Sequence, residues 1–162
     1  MAFSMLKNLR GFTLVELLLV LILIGIMAVI AVPNWVGSPN LEAQTQALLS
    51  DLRYTQTLAM THGQRFDLNF TLPSSYGISD PGGTAVANPS TGASTVSLVS
   101  GTTMSSLTNL PNNLISFDER GVPYTDSAAT VALTANATIV LSANGITRNI
   151  IITPETGSMV AQ

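Results

Sequence analysis

The chain has 162 residues, 46% of them hydrophobic and only 9% charged, with a formal net charge of −3. That length suits an anchor plus one domain. The only cations beyond residue 10 are Arg53, Arg65, Arg120 and Arg148, too few and too scattered for a broad phosphate-binding surface. The absence of cysteine excludes disulfides and thiolate metal sites and leaves the redox compartment open.

The first predicted element is the run "RGFTLVELLLVLILIGIMAVIAVP", Arg10 to Pro33. No side chain from Leu17 to Val32 is polar. Counted from Phe12, the run has about the ~20 residues that a helix needs to cross a bilayer core. Lys7 and Arg10 lie on its N-terminal side and no cation flanks the other side closely. This bias puts the N-terminus in the cytoplasm and the remainder outside. Gly25 and Pro33 mark the expected bend, since glycine weakens a helix and proline removes a donor. An ordinary membrane-helix glycine and a helix-ending proline fit them equally well. Trp35 suits either a membrane interface or subunit packing.

Glu16 interrupts the start of the run. Three readings compete. A secretory signal peptide would be cut near Ala31, but the run is long for a signal core and Pro33 and Trp35 are poor neighbours for a cut. A plain signal anchor leaves Glu16 without a role. The third reading gives it one. A carboxylate at lipid depth costs about 2.5 kcal/mol or more unless it has a partner. A cut after Gly11 would remove Lys7 and Arg10 and create an α-amino group on Phe12. On a neighbouring helix that cation could meet Glu16, and in low dielectric the pairing would set the axial stagger of subunits.

"KNLRGFTLVELLLVLILIGIMAVIAVP" resembles the class III prepilin leader and first helix of type IV pilins and type II secretion pseudopilins. The resemblance implies that a prepilin peptidase cuts between Gly11 and Phe12 and that the Phe12 amine is N-methylated. It implies that Glu16 is the acid of subunit docking and filament assembly. The implied partners are other pilins or pseudopilins, the peptidase and an inner-membrane assembly platform.

The second element is a helix from about Ser38 to His62. Ser38-Pro39 reads as cap and first turn. Leu41, Thr45, Leu48, Leu52, Thr55 and Ala59 recur at helical spacing, Leu49 and Leu58 widen the stripe, and Gly63 is the expected stop. The period then changes to two: Phe66, Leu68, Phe70 and Leu72 alternate with Arg65, Asp67, Asn69 and Thr71, a half-buried strand. Tyr76–Ser79 is read as its continuation beyond a break at Pro73. A surface loop follows over 80–94. Further strands are expected at Thr95–Val99, Leu114–Phe117, Thr130–Thr134, Thr138–Ser142 and Thr147–Thr153. Asn144-Gly145 forms a hairpin turn. Pro154–Gly157 is a turn before a short strand at Ser158–Ala161.

The expected fold is therefore α+β: a long N-terminal transmembrane or stem helix, then a globular antiparallel β head of two packed sheets. Its expected parts are a cleaved leader (1–11), a hydrophobic transmembrane and filament-core helix (12–33), an amphipathic second half of the stem (34–63) and the head (64–162). "LLSDLRYTQTLAMTHGQRFDLNF" resembles the helix-to-strand joint of H-type minor pseudopilins and FimT-like minor pilins. "LRYTQTLAM", "ISFDERGVPY" and "NIIITPETGSMV" resemble the C-type minor pilin of mannose-sensitive haemagglutinin (MSHA) pili. FimT-like proteins linked to DNA uptake carry arginines in a C-terminal glycine-arginine motif; here Gly157 is followed by Ser158, Met159 and Val160, a departure from that resemblance that argues against DNA binding.

No catalytic constellation, metal set or cofactor motif is apparent. His62 is expected to serve the helix end. Asp118, Glu119 and Asp126 could ligate calcium, but Asp118–Gly121 also reads as a turn, the favoured reading. Arg53 and Arg65 are expected on solvated faces or in salt bridges rather than on nucleic acid. The expected function is that of a minor pilin or pseudopilin in filament initiation or at the tip. The alternative is a ligand-binding filament component for DNA uptake or adhesion.

Overall fold

A computed structural model describes residues 12–31 and 38–162. They belong to two compact units, divided between Trp35 and Val36. The leader with Gly11, and likewise Pro33 and Trp35, lie outside the described residues.

The first unit contains helix α1, Leu14–Ala31. It is uninterrupted through Gly25, where an added Cβ would meet no atom within 4 Å. Its 18 residues rise about 27 Å at 1.5 Å each, somewhat short of a hydrocarbon core of about 30 Å. Among the described residues no helix is long and apolar enough to cross a membrane. The run expected to span, 12–33, extends past them.

The second unit begins with α2, Ser38–His62, within the bounds that periodicity predicts. Leu41, Leu48, Leu52 and Ala59 are buried, and so are Thr45 and Thr55. A threonine inside a core needs a hydrogen-bond acceptor. Thr45 Oγ1 donates to Leu41 O and Thr55 Oγ1 to Asp51 O, both at 2.8 Å, so each hydroxyl is satisfied within its own helix. After His62 the chain leaves the helix with Gln64 N donating back to Ala59 O, the closing bond of a Schellman end.

Strands β1 (Phe66–Thr71), β2 (Ser75–Ser79), β3 (Ala85–Val86), β4 (Val96–Ser97), β5 (Thr102–Thr108), β6 (Leu114–Phe117), β7 (Pro123–Tyr124), β8 (Ala137–Ala143), β9 (Ile146–Ile152) and β10 (Met159–Ala161) follow. They make two antiparallel sheets. The first has six strands in the order β3-β2-β1-β6-β7, with β4 also on β2, and the second has four in the order β10-β9-β8-β5. Helix α2 packs against β1 and β6 of the first sheet and β5, β8, β9 and β10 of the second. One hydrophobic core draws on the helix and both sheets.

Several expectations change. Tyr76–Ser79 does not prolong β1. The chain reverses, and Phe70 faces Tyr76 while Leu68 faces Ile78, so the inward apolar residues of two strands meet on one face. Leu72, read as the last inward residue, is 42% exposed beyond the strand end. Asp67, read as a solvent-facing polar residue, is buried. Residues 130–134 form no strand, only an isolated bridge from Tyr124 to Ala132. The longest unread strand is β5, whose "TTMSSLT" has too few apolar residues to show a period. Its pairing with β8 carries a bulge between Met104 and Ser106, which shifts the alternation midway. The hairpin at Asn144-Gly145 is as expected, with φ of 51° and 79° joining β8 to β9.

Candidate assembly site

The acid of the apolar run stands in the first turn of α1. Thr13 Oγ1 accepts a hydrogen bond from Glu16 N at 3.2 Å, and Leu17 N donates to Thr13 O at 3.1 Å. Thr13 is therefore the N-cap, and Thr13-Leu14-Val15-Glu16 carries the spacing of a capping box. A carboxylate here is also favoured by the positive end of the helix dipole. This local use of Glu16 is one that the sequence reading missed, although threonine three residues before glutamate announces it.

Phe12 precedes the cap and is 76% exposed. From Leu14 to Ile24 every apolar side chain is between 41% and 79% exposed. No side of α1 is reserved for water. A helix of this kind buries itself in lipid or among other helices.

In the second unit, α2 carries "LRYTQTLAM" itself and holds the segments "ISFDERGVPY" and "NIIITPETGSMV" of the head. Arg53 Nη2 donates to Met159 O of β10 at 3.1 Å. One turn on, Gln56 Nε2 donates to Gly121 O at 2.9 Å and to Thr156 O at 3.2 Å. Gly157 closes this joint. It has a φ of 62°, and a Cβ there would lie 2.5 Å from Gln56 Nε2 and 2.7 Å from Gly121 O. Glycine is required both for the backbone angle and for the space. Gln56 is the residue that the sequence reading passed over. Its signal was an amide beside a buried stripe.

Two of the three acids read as calcium candidates, Asp118 and Asp126, are occupied with the chain itself. Asp118 Oδ1 accepts from the backbone N–H groups of Arg120 and Val122, and its Oδ2 accepts from the Arg120 guanidinium at 3.0 Å. Burial opposes the charge of Asp118, but the Val122 N–H and both Arg120 donors outweigh it and hold the carboxyl below its usual range. Asp126 accepts from Thr130 and from Val131 N, which likewise overcome desolvation and lower it. These bonds belong to turns.

His62 Nδ1 lies 3.0 Å from Leu58 O, and its ring meets Phe66 edge-on at 5.5 Å. Arg65 donates to Pro81 O at 3.0 Å. Arg53 lies on an exposed face, as expected, and Arg65 is half-buried; each also holds a backbone carbonyl. Arg148 pairs with Glu42 at 2.9 Å on the surface. Tyr76 OH donates to Asp51 Oδ2 at 2.7 Å with both residues buried. Burial first, then the bond to Asp51, pushes the phenol well above its ordinary range. An open cleft of about 510 Å³ is lined by Arg65, Pro81, Asp118, Glu119, Arg120 and Tyr124 among others. Its two guanidinium groups are matched by two carboxylates, so it offers no net positive surface.

A family model described as "Prokaryotic N-terminal methylation motif" matches residues 6–32. Comparison with curated proteins finds no match. Among solved structures, the type IV minor pilin FimU of Pseudomonas aeruginosa is similar with a TM-score of 0.54 at 13% identity, over 75% of this chain and 87% of that one. A second crystal form of FimU gives 0.53 at 13% identity, over 75% and 92%. The minor pseudopilin EpsH from the type 2 secretion system of Vibrio cholerae gives 0.53 at 11% identity, over 76% and 96%. At such identities the likeness concerns the fold. The chain thus carries a matched N-terminal methylation motif and shares the fold of a minor pilin and a minor pseudopilin.

Proposed function

We propose that the chain is a minor pilin or pseudopilin, a non-enzymatic subunit of a type IV pilus-like or type II secretion filament. The observation that carries this reading is the apolar stretch Leu14–Ile24 of α1, exposed throughout, with one acid in the first turn. The matched methylation motif supports it. In this reading residues 1–11 are removed by a prepilin peptidase between Gly11 and Phe12, and Phe12 is N-methylated. Residues 12–33 hold the subunit in the inner membrane and then in the filament core. Residues 34–63 complete the stem and 64–162 form the head on the far side of the membrane. An inner-membrane assembly platform receives the subunit. The Phe12 amine of one subunit meets Glu16 of its neighbour, which relieves the desolvation of both charges. Gly25 and Pro33 provide the place where the stem bends.

A few copies would serve in initiation or at the tip, in an MSHA-type pilus or a related system. A DNA-uptake role is weaker, because Arg53 of the stem and the arginines of the head are engaged with carbonyls and carboxylates. Mass spectrometry of the mature protein tests the reading. The expected first residue is methylated Phe12. A mature chain that starts at Met1 or near Val32 would overturn it.

A further inference from the structure

Within the second unit, α2 starts at Ser38 and stops at His62, and the unit differs in chemistry between these two ends. Three connections gather at the Ser38 end: 72–74 between β1 and β2, 98–101 between β4 and β5, and 144–145 between β8 and β9. Leu98 N donates to Ser74 O and Met104 N to Pro73 O, both at 2.7 Å, and Thr102 stands opposite Ala143 in the ladder. The first two turns of α2 are bound to the same place. Val99 N donates to Gln44 Oε1 at 3.3 Å, and Arg148 Nε to Glu42 Oε2 at 2.9 Å. Each connection exposes one large aliphatic side chain at or beside its tip: Leu72 by 42%, Val99 by 45% and Ile146 by 41%. A single such residue is ordinary on a protein surface, but three that converge on one end mark a contact.

The same end is neutral. The other exposed residues of the three connections are Pro73, Ser74, Ser100, Gly101, Asn144 and Gly145, none of them charged. The charges nearest to them, Glu42 and Arg148, pair with each other. At the His62 end the pattern reverses. Arg65, Asp118, Glu119 and Arg120 line the cleft beside Gln64, and Asp80 precedes the Pro81 carbonyl that Arg65 holds. The covalent chain says what the apolar end can reach. Six residues, 32–37, separate α1 from α2. From Ala31 to Ser38 a fully extended chain spans at most about 25 Å. A membrane that holds α1 therefore keeps the Ser38 end close to its surface.

We propose that the Ser38 end of the second unit is a lipid-contact surface, with Leu72, Val99 and Ile146 resting in the headgroup layer of the membrane that holds α1. The inference rests on the reading of α1 as the membrane anchor and adds a second contact to it. Aliphatic side chains gain by leaving water for the acyl boundary. The serine, asparagine and backbone groups around them keep hydrogen-bond partners among headgroups and interfacial water. Because the surface is neutral, the contact needs no anionic lipid and is insensitive to salt. The charged His62 end is then the part of the unit turned to water.

The chain has no cysteine, so single substitutions can carry a nitroxide label. Val99→Cys and Ile146→Cys report on the apolar end. Val131→Cys is the reference, an equally exposed aliphatic position on the segment that also lends Ala128 and Ala129 to the cleft. Leu19→Cys reports on α1. The full chain is placed in phosphatidylcholine vesicles, sparsely enough that copies do not meet. Collisions are measured with oxygen, which concentrates in lipid, and with a nickel chelate, which stays in water. The oxygen-to-nickel ratio should be several-fold higher at Val99 and Ile146 than at Val131, and unchanged by added salt. Ile146→Asp should return the Val99 label to the Val131 level. Ratios at Val99 and Ile146 equal to that at Val131, with Leu19 in lipid, would overturn the lipid contact and leave the anchor standing. An aqueous Leu19 label would overturn both. Shielding of Val99 and Ile146 that arises only when copies are crowded would assign the surface to a second copy and overturn the proposal. So would a Val99 label indifferent to Ile146→Asp.

Discussion

The two helices distribute apolar residues in opposite ways. In α2 they form one stripe, buried against both sheets, and the other faces carry Glu42, Gln46, Arg53 and Thr57. In α1 they surround the axis and none from Leu14 to Ile24 is buried. A stripe finds its partner within its own chain. A fully apolar cylinder needs lipid or other helices. The difference separates a helix that folds the head from one that, in the proposed function, assembles the subunit, and each half can be broken without the other.

The sharpest break is Glu16→Ala. Filament incorporation should fall at least about tenfold, the equivalent of losing a ~1.4 kcal/mol interaction, while membrane insertion and the melting of the head stay unchanged. Incorporation is read by immunoblot of sheared filaments. Thr13→Ala sharpens this result, because it removes only the cap, worth about 1 kcal/mol. Equal losses from the two variants would reduce Glu16 to a capping residue.

On the α2 side, Leu52→Ala should cost the head about 2–5 kcal/mol, since Leu52 is fully buried in the shared core. Chemical denaturation measures this, and processing at Phe12 should be untouched. Gly157→Ala should cost less, about 1–3 kcal/mol, through its positive φ and the crowding by Gln56 and Gly121. A neutral result there would mean that the Gln56 joint yields easily.

The smallest effect belongs to Glu42→Gln. Its carboxyl is held below the usual range by the hydrogen bond from Arg148, then by that from Gln46. Such a group stabilises above the ordinary glutamate value and loses its contribution as pH falls through the lowered one. The pair is exposed, so screening leaves little of it. Melting curves at neutral pH should barely separate the variant from wild type, and any difference should vanish in acid.

Much of this could be read from residue order. The stripe Leu41-Thr45-Leu48-Leu52-Thr55-Ala59 fixes α2 because a helical period and a single buried face are local properties. Asn144-Gly145 fixes a hairpin because two positive φ angles are cheap there. Phe12 and Glu16 stand out because a carboxylate beside so long an apolar run has few explanations. Strand β5 was illegible because its partner β8, and not its own composition, makes it a strand. The same holds for Asp67, whose burial its place in the strand alternation does not announce.

By itself, then, the sequence determined the elements whose causes are local: two helices of different character, the β1 and β8–β9 strands, and the leader pattern. Only the tertiary structure decided which distant residues share a site. It brought Gln56 to Gly121 and Gly157, Asp51 to Tyr76, and Asp67 to Ser116. Those contacts join residues far apart in the chain, and periodicity carries no information about which strand becomes whose neighbour.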